Sequence, residues 1–508
     1  MEMTPSMPRR QLLIVLGSLM LGTALGALDN TIIASALPTI VGKLNGFKSF
    51  AWVGTIYIVT STISTPILGK LSDLYGRKLL FQFAISTFLV GSVLCALSHS
   101  MSQLIAARGV QGIGAGGIQS LTFAILGDII TPRERGKYMG LYTSVFAVAA
   151  VAGPLVGGFM IEHWAWQWIF LINVPIGGAA LVATQINLRF PFGRRKAAID
   201  YLGAALLSAG LAALMIGLDR TREGWGTAGV GPLLGLAAVM LGAFALWERR
   251  ASEPLVPPRL LRNPIIVSTY GMAVTLGAVM FGASQFFPLF FQDARFVSPT
   301  KAGLFTLPIM AGVMTGSTMG GRLISATGRY KLVPVVGLAG SIIGVGAIAV
   351  LLDADIAYPK LIVPMFLMGL GGGSSFTTQS IAAQNAVDPR DLGVATSTLN
   401  FCRSLGASVA LAMYGSVFNA KVRDELTRRL PDNAGTTASQ LIKQIREPAR
   451  IKALAPPLRD AVRDSIGAGA GRVYLVALPV VIAAWFFALS LREIPLGRTT
   501  GLATTPVE

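Results

Sequence analysis

Long apolar runs alternate with short polar ones along the whole chain, from "QLLIVLGSLMLGTALGAL" at 11–28 to "VYLVALPVVIAAWFFALSL" at 473–491. Many of these runs reach the roughly 20 residues that a helix needs to cross a bilayer. Fourteen helices are predicted on them: 11–40, 50–70, 78–98, 102–128, 137–160, 167–188, 201–219, 228–247, 264–292, 302–324, 332–351, 360–386, 393–418 and 471–491. The basic start and first apolar run resemble a signal peptide. The apolar character continues to about Val41 and further spans follow, so a retained first helix is expected. The fold class that follows is an all-α polytopic membrane protein.

Composition sharpens this. Only 13% of the 508 residues are charged, against about 25% in soluble domains, and the mean hydropathy is +0.63. The two or three soluble domains that the length would permit are thereby excluded. The net charge is +18, which in a soluble protein would point to nucleic acid. Here the cations sit mostly in loops between spans, where they set topology against an anionic leaflet, so no nucleic-acid partner is expected. With the N-terminus inside, the inner segments carry 22 Lys and Arg and the six short outer loops seven, which places both termini in the cytoplasm. A long outer loop predicted at 419–470 is also cationic, but the rule weakens for long loops. Its pieces "AKVRDELTRRL" and "ASQLIKQIREPARI" are expected to form a solvated helical cap. Cys95 and Cys402 fall in predicted spans and His99 and His163 in outer loops, at spacings that suit neither a disulfide framework nor a metal site. No cofactor is expected.

The chain repeats itself. "GKLSDLYGRK" at 69–78 aligns with "GRLISATGRYK" at 321–331, so that Gly69, Gly76 and Arg77 match Gly321, Gly328 and Arg329 at one offset of 252. The glycine-rich "GIGAGG" at 112–117 is echoed by "GLGGG" at 369–373. Two six-helix halves, 11–190 and 264–491, with two helices inserted at 201–248, account for fourteen. Repeated halves place a substrate site near the midplane where they meet.

Five places in the chain carry candidate chemistry or close packing. In the first copy of the repeated loop, Gly69 and Gly76 permit a tight turn and close approach. Asp73, Arg77 and Lys78 supply a polar clasp, in which Asp73 either caps the next helix or pairs with a basic group of a neighbouring one. The plainer reading is a topology signal of positive loop charge. Ser325 replaces the acid in the second copy, so a latch would be asymmetric between halves. Asp29 is the one acid among 24 that falls well inside a predicted span, where an ionised carboxylate is costly and therefore functional, partnered or protonated. Poised between desolvation, which favours its neutral form, and a nearby cation, which favours its charged form, such a group can load and release a proton. Its plainer reading is a cap at a helix end. "GIGAGG" contains a G-x-G-x-x-G pattern, but no strand precedes it, and small residues in a span serve close helix packing. No G-x-x-x-x-G-K-[ST] pattern occurs, so ATP is not expected to drive the protein. "AGPLVGG" places Gly153, Pro154, Gly157 and Gly158 mid-span, where a kink and close packing are expected. Arg403, deep in the thirteenth predicted helix, needs a partner that the sequence does not name.

Together these stretches resemble the major facilitator superfamily, and within it the fourteen-span drug:proton antiporters. The loop at 69–78 is similar to the superfamily's signature loop, "LDNTIIASALP" at 28–38 to the first-helix motif, and "RGVQGIGAGG" at 108–117 to the fourth-helix motif. "GPLVGG" at 153–158 resembles the fifth-helix motif associated with antiporters. "WQWIFLINVPIG" at 166–177 fits the start of the sixth helix, with Gln167 where the family usually has arginine. The resemblance covers nearly the whole chain. It implies the major facilitator fold, with the first and fourth helices lining a cavity, so that Arg108 tunes Asp29 and Gln111 shares the network. The plainer reading of Arg108 is interfacial snorkelling. Trp52, Tyr57, Phe281, Gln285, Phe286 and Arg403 are candidates for the cavity wall. The function implied is proton-coupled export of a hydrophobic, cationic compound by alternating access, from a monomer in the plasma membrane, as in a bacterial inner membrane. Export of an endogenous lipid-like or siderophore-like compound, symport, and a non-transporting membrane protein are the rivals.

Overall fold

The computed structural model describes residues 9–44, 50–188, 200–220, 229–251, 254–388, 391–430, 451–452 and 454–496. Among the described residues the long helices come as six, two and six, with shorter helical turns at Leu260–Arg262 and Pro299–Leu304. The first six are α1 (Arg9–Lys43), α2 (Phe50–Tyr75), α3 (Arg77–Ala96), α4 (Met101–Ile129), α5 (Pro132–His163) and α6 (Trp168–Asn187). A hairpin of α7 (Tyr201–Arg220) and α8 (Val230–Trp247) comes next. The last six are α9 (Pro264–Asp293), α10 (Leu307–Thr327), α11 (Leu332–Leu351), α12 (Pro359–Asn385), α13 (Leu392–Arg429) and α14 (Pro456–Ser490). Among the described residues, eleven helices are long and apolar enough to cross a membrane by length and composition alone.

Local chemistry sets several boundaries. Gly76, at φ 99°, ends α2 and turns directly into α3; its counterpart Gly328, at φ 73°, ends α10. Both angles lie where only glycine rests without strain. Ser100 caps α4 by accepting from the Gln103 amide, and Asn263 caps α9 by accepting from Ile265 ahead of Pro264. α9 is interrupted by a π-turn at Ala278–Gly282 and a 3-10 turn at Ala283–Gln285. Both described ends of the predicted outer loop at 419–470 are helix: α13 runs out to Arg429 and α14 begins at Pro456. Ion pairs from Glu425 to Lys421, Arg428 and Arg429, and from Arg429 to Asp464, tie these extensions together. The segment "ASQLIKQIREPARI" lies almost wholly outside the described residues.

The two sets of six pack by the same scheme. α2 and α3 both lie along α4, as α10 and α11 lie along α12; α1 lies against α5 and α6, as α9 lies against α13 and α14. Glycines make this possible. A methyl group at Gly114 would strike the backbone of Phe88, and one at Gly116 the carbonyl of Ser61. In α12, Gly369 faces the carbonyl of Ile309 and Gly373 that of Val313. Without a hydrophobic drive in lipid, such backbone-to-backbone approach is what holds helices together. Gly373→Ala is therefore expected to destabilise the protein by about 1–3 kcal/mol. Gly178→Ala in α6, where a methyl meets open space, should be neutral or stabilising by about 0.5–1 kcal/mol. Thermal unfolding in detergent checks the pair; equal effects would refute this account of the packing.

The sets of six meet along α5 and α10 and along α2 and α13. α7 lies across the second seam, where Leu207 and Leu211 join Ile63 of α2 and Phe401 of α13 in one apolar cluster. α8 touches chiefly α7 and leaves Leu236, Val239 and Leu246 exposed to lipid.

Candidate functional site

Asp29 is fully buried in α1. Arg108 of α4 donates to its Oδ2 at 2.6 Å, and Gln111, one turn further along α4, donates to its Oδ1 at 2.8 Å. Asn173 of α6 donates to the same Oδ1 at 2.9 Å. The network closes on itself: Arg108 also donates to Gln111 Oε1 at 2.7 Å, while Ser92 Oγ of α3 accepts from Asn173 at 2.9 Å and donates to the Phe170 carbonyl at 2.9 Å. The guanidinium lies 4.0 Å over the ring of Tyr57 in α2. Two helices, α4 and α6, thus supply the donors to the carboxylate of α1, Ser92 of α3 accepts from their amides, and Tyr57 of α2 stacks on the cation. Arg108 is 1% exposed, which removes the snorkelling alternative. The Asp29 Oδ1 atom takes two amide donors and Oδ2 a charged one, so both carboxylate oxygens are hydrogen-bonded away from water.

A second polar cluster lies at the end of the bundle that carries Arg9 and Ser490, here the termini face. Arg77 pairs with Asp73 at 2.5 Å and with Asp128, at the end of α4, at 2.9 Å, and donates to Ser72 Oγ. Asp73 does not cap α3. Its Oδ2 accepts from the backbone amide of Val394 at 3.1 Å, in the first turn of α13. The carboxylate therefore sits at the positive end of a helix belonging to the opposite set of six. Gly393 leaves the room: a methyl there would overlap both Asp73 and Arg77. Gly69 does the same one turn earlier, where a methyl would overlap Ser397. Gln384 of α12 adds a third crossing, donating to the Phe123 carbonyl at 3.0 Å. Arg135 is buried beside Asp128 and donates to the Gly127 and Ile130 carbonyls at the end of α4. Lys78 points elsewhere, to the Gln185 carbonyl at 2.7 Å. In the repeated loop Arg329 is exposed and the acid's place is taken by Ser325, so the two copies differ as their sequences do.

The remaining candidates scatter. Gly153 brings α5 against α1 at Thr31, whose hydroxyl donates to the Ala149 carbonyl at 3.0 Å. Gly157 is buried; a methyl at Gly158 would meet nothing; the Pro154 side chain lies outside the described residues. Tyr57 is buried under Arg108 and Trp52 is half-buried. Phe286 is buried against Phe418, with ring centroids 5.5 Å apart, and Gln285 beside it is exposed. Phe281 lies in the π-turn of α9 and its side chain is outside the described residues. Arg403 is buried in α13, where its backbone packs against Gly277 of α9. Sequence reasoning missed Asn173, Ser92 and Asp128. Asn173 stands inside "WQWIFLINVPIG", where an amide in an apolar run was a usable signal; a single serine in α3 offered none.

Comparison with known proteins agrees with this architecture. Residues 19–411 match the Major Facilitator Superfamily. An uncharacterized MFS-type transporter of Mycobacterium tuberculosis is 35% identical over 95% of this chain and 70% of its own length. Multidrug resistance protein 3 of Bacillus subtilis is 33% identical over 93% of both chains, and the multidrug transporter protein MdtP of the same species 29% identical over 96% and 94%. Among solved structures, the human organic anion transporter MFSD10 superposes with a TM-score of 0.61 at 16% identity, covering 93% of this chain and 99% of that one. At that identity the likeness speaks for the fold alone. Two matching sets of six helices, a clasped loop between α2 and α3, and a family match over most of the length lead to one conclusion: the chain belongs to the major facilitator superfamily, as a polytopic membrane transporter.

Proposed function

We propose that the protein is a proton-coupled exporter of hydrophobic, cationic compounds, which exchanges one face of the membrane for the other by rocking its two halves, with both termini in the cytoplasm of a plasma membrane. The observation that carries this reading is the carboxylate of Asp29, fully buried and held by Arg108, Gln111 and Asn173. Protonation of Asp29 would cancel the ion pair and leave the Arg108 charge unopposed, which repels a cationic substrate from the same region. Deprotonation restores the pair and lifts that repulsion. Proton and cation then exclude one another, which is the thermodynamic requirement for exchange. The cluster at Asp73, Arg77 and the start of α13 acts as the latch of the state closed on the cytoplasmic side. The names of the Bacillus subtilis relatives support drugs as the cargo.

The direct test is substrate-driven proton release from purified protein in weakly buffered detergent, read with a pH indicator. Tetraphenylphosphonium and cationic dyes are expected to release protons from the wild type and not from Asp29→Asn. Saturable binding of such a cation with no proton release from the wild type would overturn the coupling.

A further inference from the structure

Arg403 sits eleven residues into α13, about 16 Å from its start at helical rise. It is 3% exposed. Its Nη1 donates to Asn400 Oδ1 at 2.8 Å and its Nη2 to Gln379 Oε1 at 3.2 Å, and the guanidinium carbon lies 3.9 Å over the ring of Phe376. No described carboxylate pairs with it. Arg108, by contrast, has Asp29. Two neutral amides solvate a cation but do not neutralise it, and a buried unpaired charge carries a large desolvation cost. Three donors around the charge also lack acceptors: Arg403 Nε, Gln379 Nε2 and Asn400 Nδ2. Both amide oxygens already face the guanidinium, so both amide NH2 groups are left to seek an acceptor. A fixed positive charge with three unused N–H groups is the donor set of an anion receptor.

We propose that Arg403, Gln379 and Asn400 form an anion-binding site in the core of the C-terminal half, which takes a monoanionic group, either a small free anion such as chloride or acetate or the carboxylate of a hydrophobic ligand. The position gives the site a gate. The Phe376 ring that covers the guanidinium packs against Phe123 of the opposite half at 5.8 Å, and Gln384 one helical segment away crosses the same seam. While the halves meet at the termini face the site is sealed, and parting them there uncovers it. An anion bound at Arg403 therefore favours the state open on that face. The site differs from Asp29 in depth, in sign and in helices, and does not depend on proton coupling.

The test uses thermal unfolding of the purified full-length protein in detergent, with sodium gluconate replaced by sodium chloride, bromide or acetate at constant ionic strength. A saturable rise of about 2 °C or more in Tm is expected, and it should vanish in Arg403→Gln. Asn400→Asp supplies a built-in carboxylate 2.8 Å from the guanidinium; it should fold, and its Tm should not respond to the added anions. Should Arg403→Gln fail to fold, Asn400→Asp alone decides. Octanoate distinguishes the sources: a variant-sensitive rise with chloride and acetate assigns a free anion, and one with octanoate alone assigns a ligand-borne carboxylate. Equal Tm in every salt, or a rise that persists in Asn400→Asp, overturns the proposal. No pH gradient enters the measurement, so its outcome is independent of whether Asp29 carries a proton.

Discussion

Asp29→Asn is expected to abolish proton-driven export, reducing accumulation of a lipophilic cation in proteoliposomes under a pH gradient to that of protein-free vesicles. The substitution keeps the side chain's shape. Its Oδ1 still accepts from Gln111 and Asn173, but its amide would face Arg108 Nη1, donor against donor, where a carboxylate oxygen now stands at 2.6 Å. The guanidinium keeps Gln111 Oε1 as an acceptor and loses its counter-charge. Removing one partner of a buried pair costs about 3–5 kcal/mol, so a weakened fold is a second route to lost transport. Asp29→Asn combined with Arg108→Gln removes both charges and separates the two effects. The double variant should recover much of the lost Tm, because the orphaned cation is gone, and should still fail to couple. Transport at the wild-type rate by Asp29→Asn under the same gradient would show that the carboxyl group is not the proton carrier.

How far the sequence anticipates this site depends on how many chemical types could occupy each position. An ionised acid within an apolar run is so costly that Asp29 stands out from 24 acids, whereas its pairing with Arg108 rested on the family resemblance, which sets the first and fourth helices side by side. Gln111 and Asn173 complete the shell, yet amides are tolerated in spans for many reasons, and Asn173 was passed over. The polar clasp was legible at Asp73, Gly76 and Arg77 because the glycine spacing recurs at 321–331. Its partners were not. Asp128 reads as an ordinary helix-end acid, and the atom that meets Asp73 is a backbone amide of Val394, which no side-chain pattern announces. The all-helical membrane fold was legible, since each apolar run must bury its own backbone groups as helix. Boundaries slipped where helices leave the membrane: α13 continues to Arg429 through "AKVRDELTRR", whose charge reads as loop although its ion pairs to Glu425 hold it helical. Arg403 shows a different limit. The search for an acidic partner fails because the described structure supplies none, which makes the residue informative.

The second large effect lies in the latch and comes from a single methyl group. Gly69→Ala places a Cβ against Ser397 of the opposite half, overlapping its Cβ and Oγ, while the next atom, the Gly393 carbonyl, stands 3.2 Å away. Alanine is the better helix former, so α2 itself gains from the change, and the penalty falls only on the state in which the halves meet at the termini face. An overpacked contact costs about 1–3 kcal/mol, equivalent to a shift of about 5- to 150-fold in a conformational equilibrium. Spin labels on the exposed positions Tyr75→Cys and Asp388→Cys would report it as a larger share of long distances. Ser397→Gly removes the two overlapping atoms. Its hydroxyl donates only to Val394 of its own helix, so the single change should leave the distribution near that of the wild type. The pair Gly69→Ala with Ser397→Gly should then close again, with transport restored. Asp73→Asn also weakens the latch, by withdrawing a charge from the start of α13, but no change at Ser397 can rescue it. A Gly69→Ala variant that stays closed would show that the halves yield at this point, and that charge rather than fit decides which face of the transporter is shut.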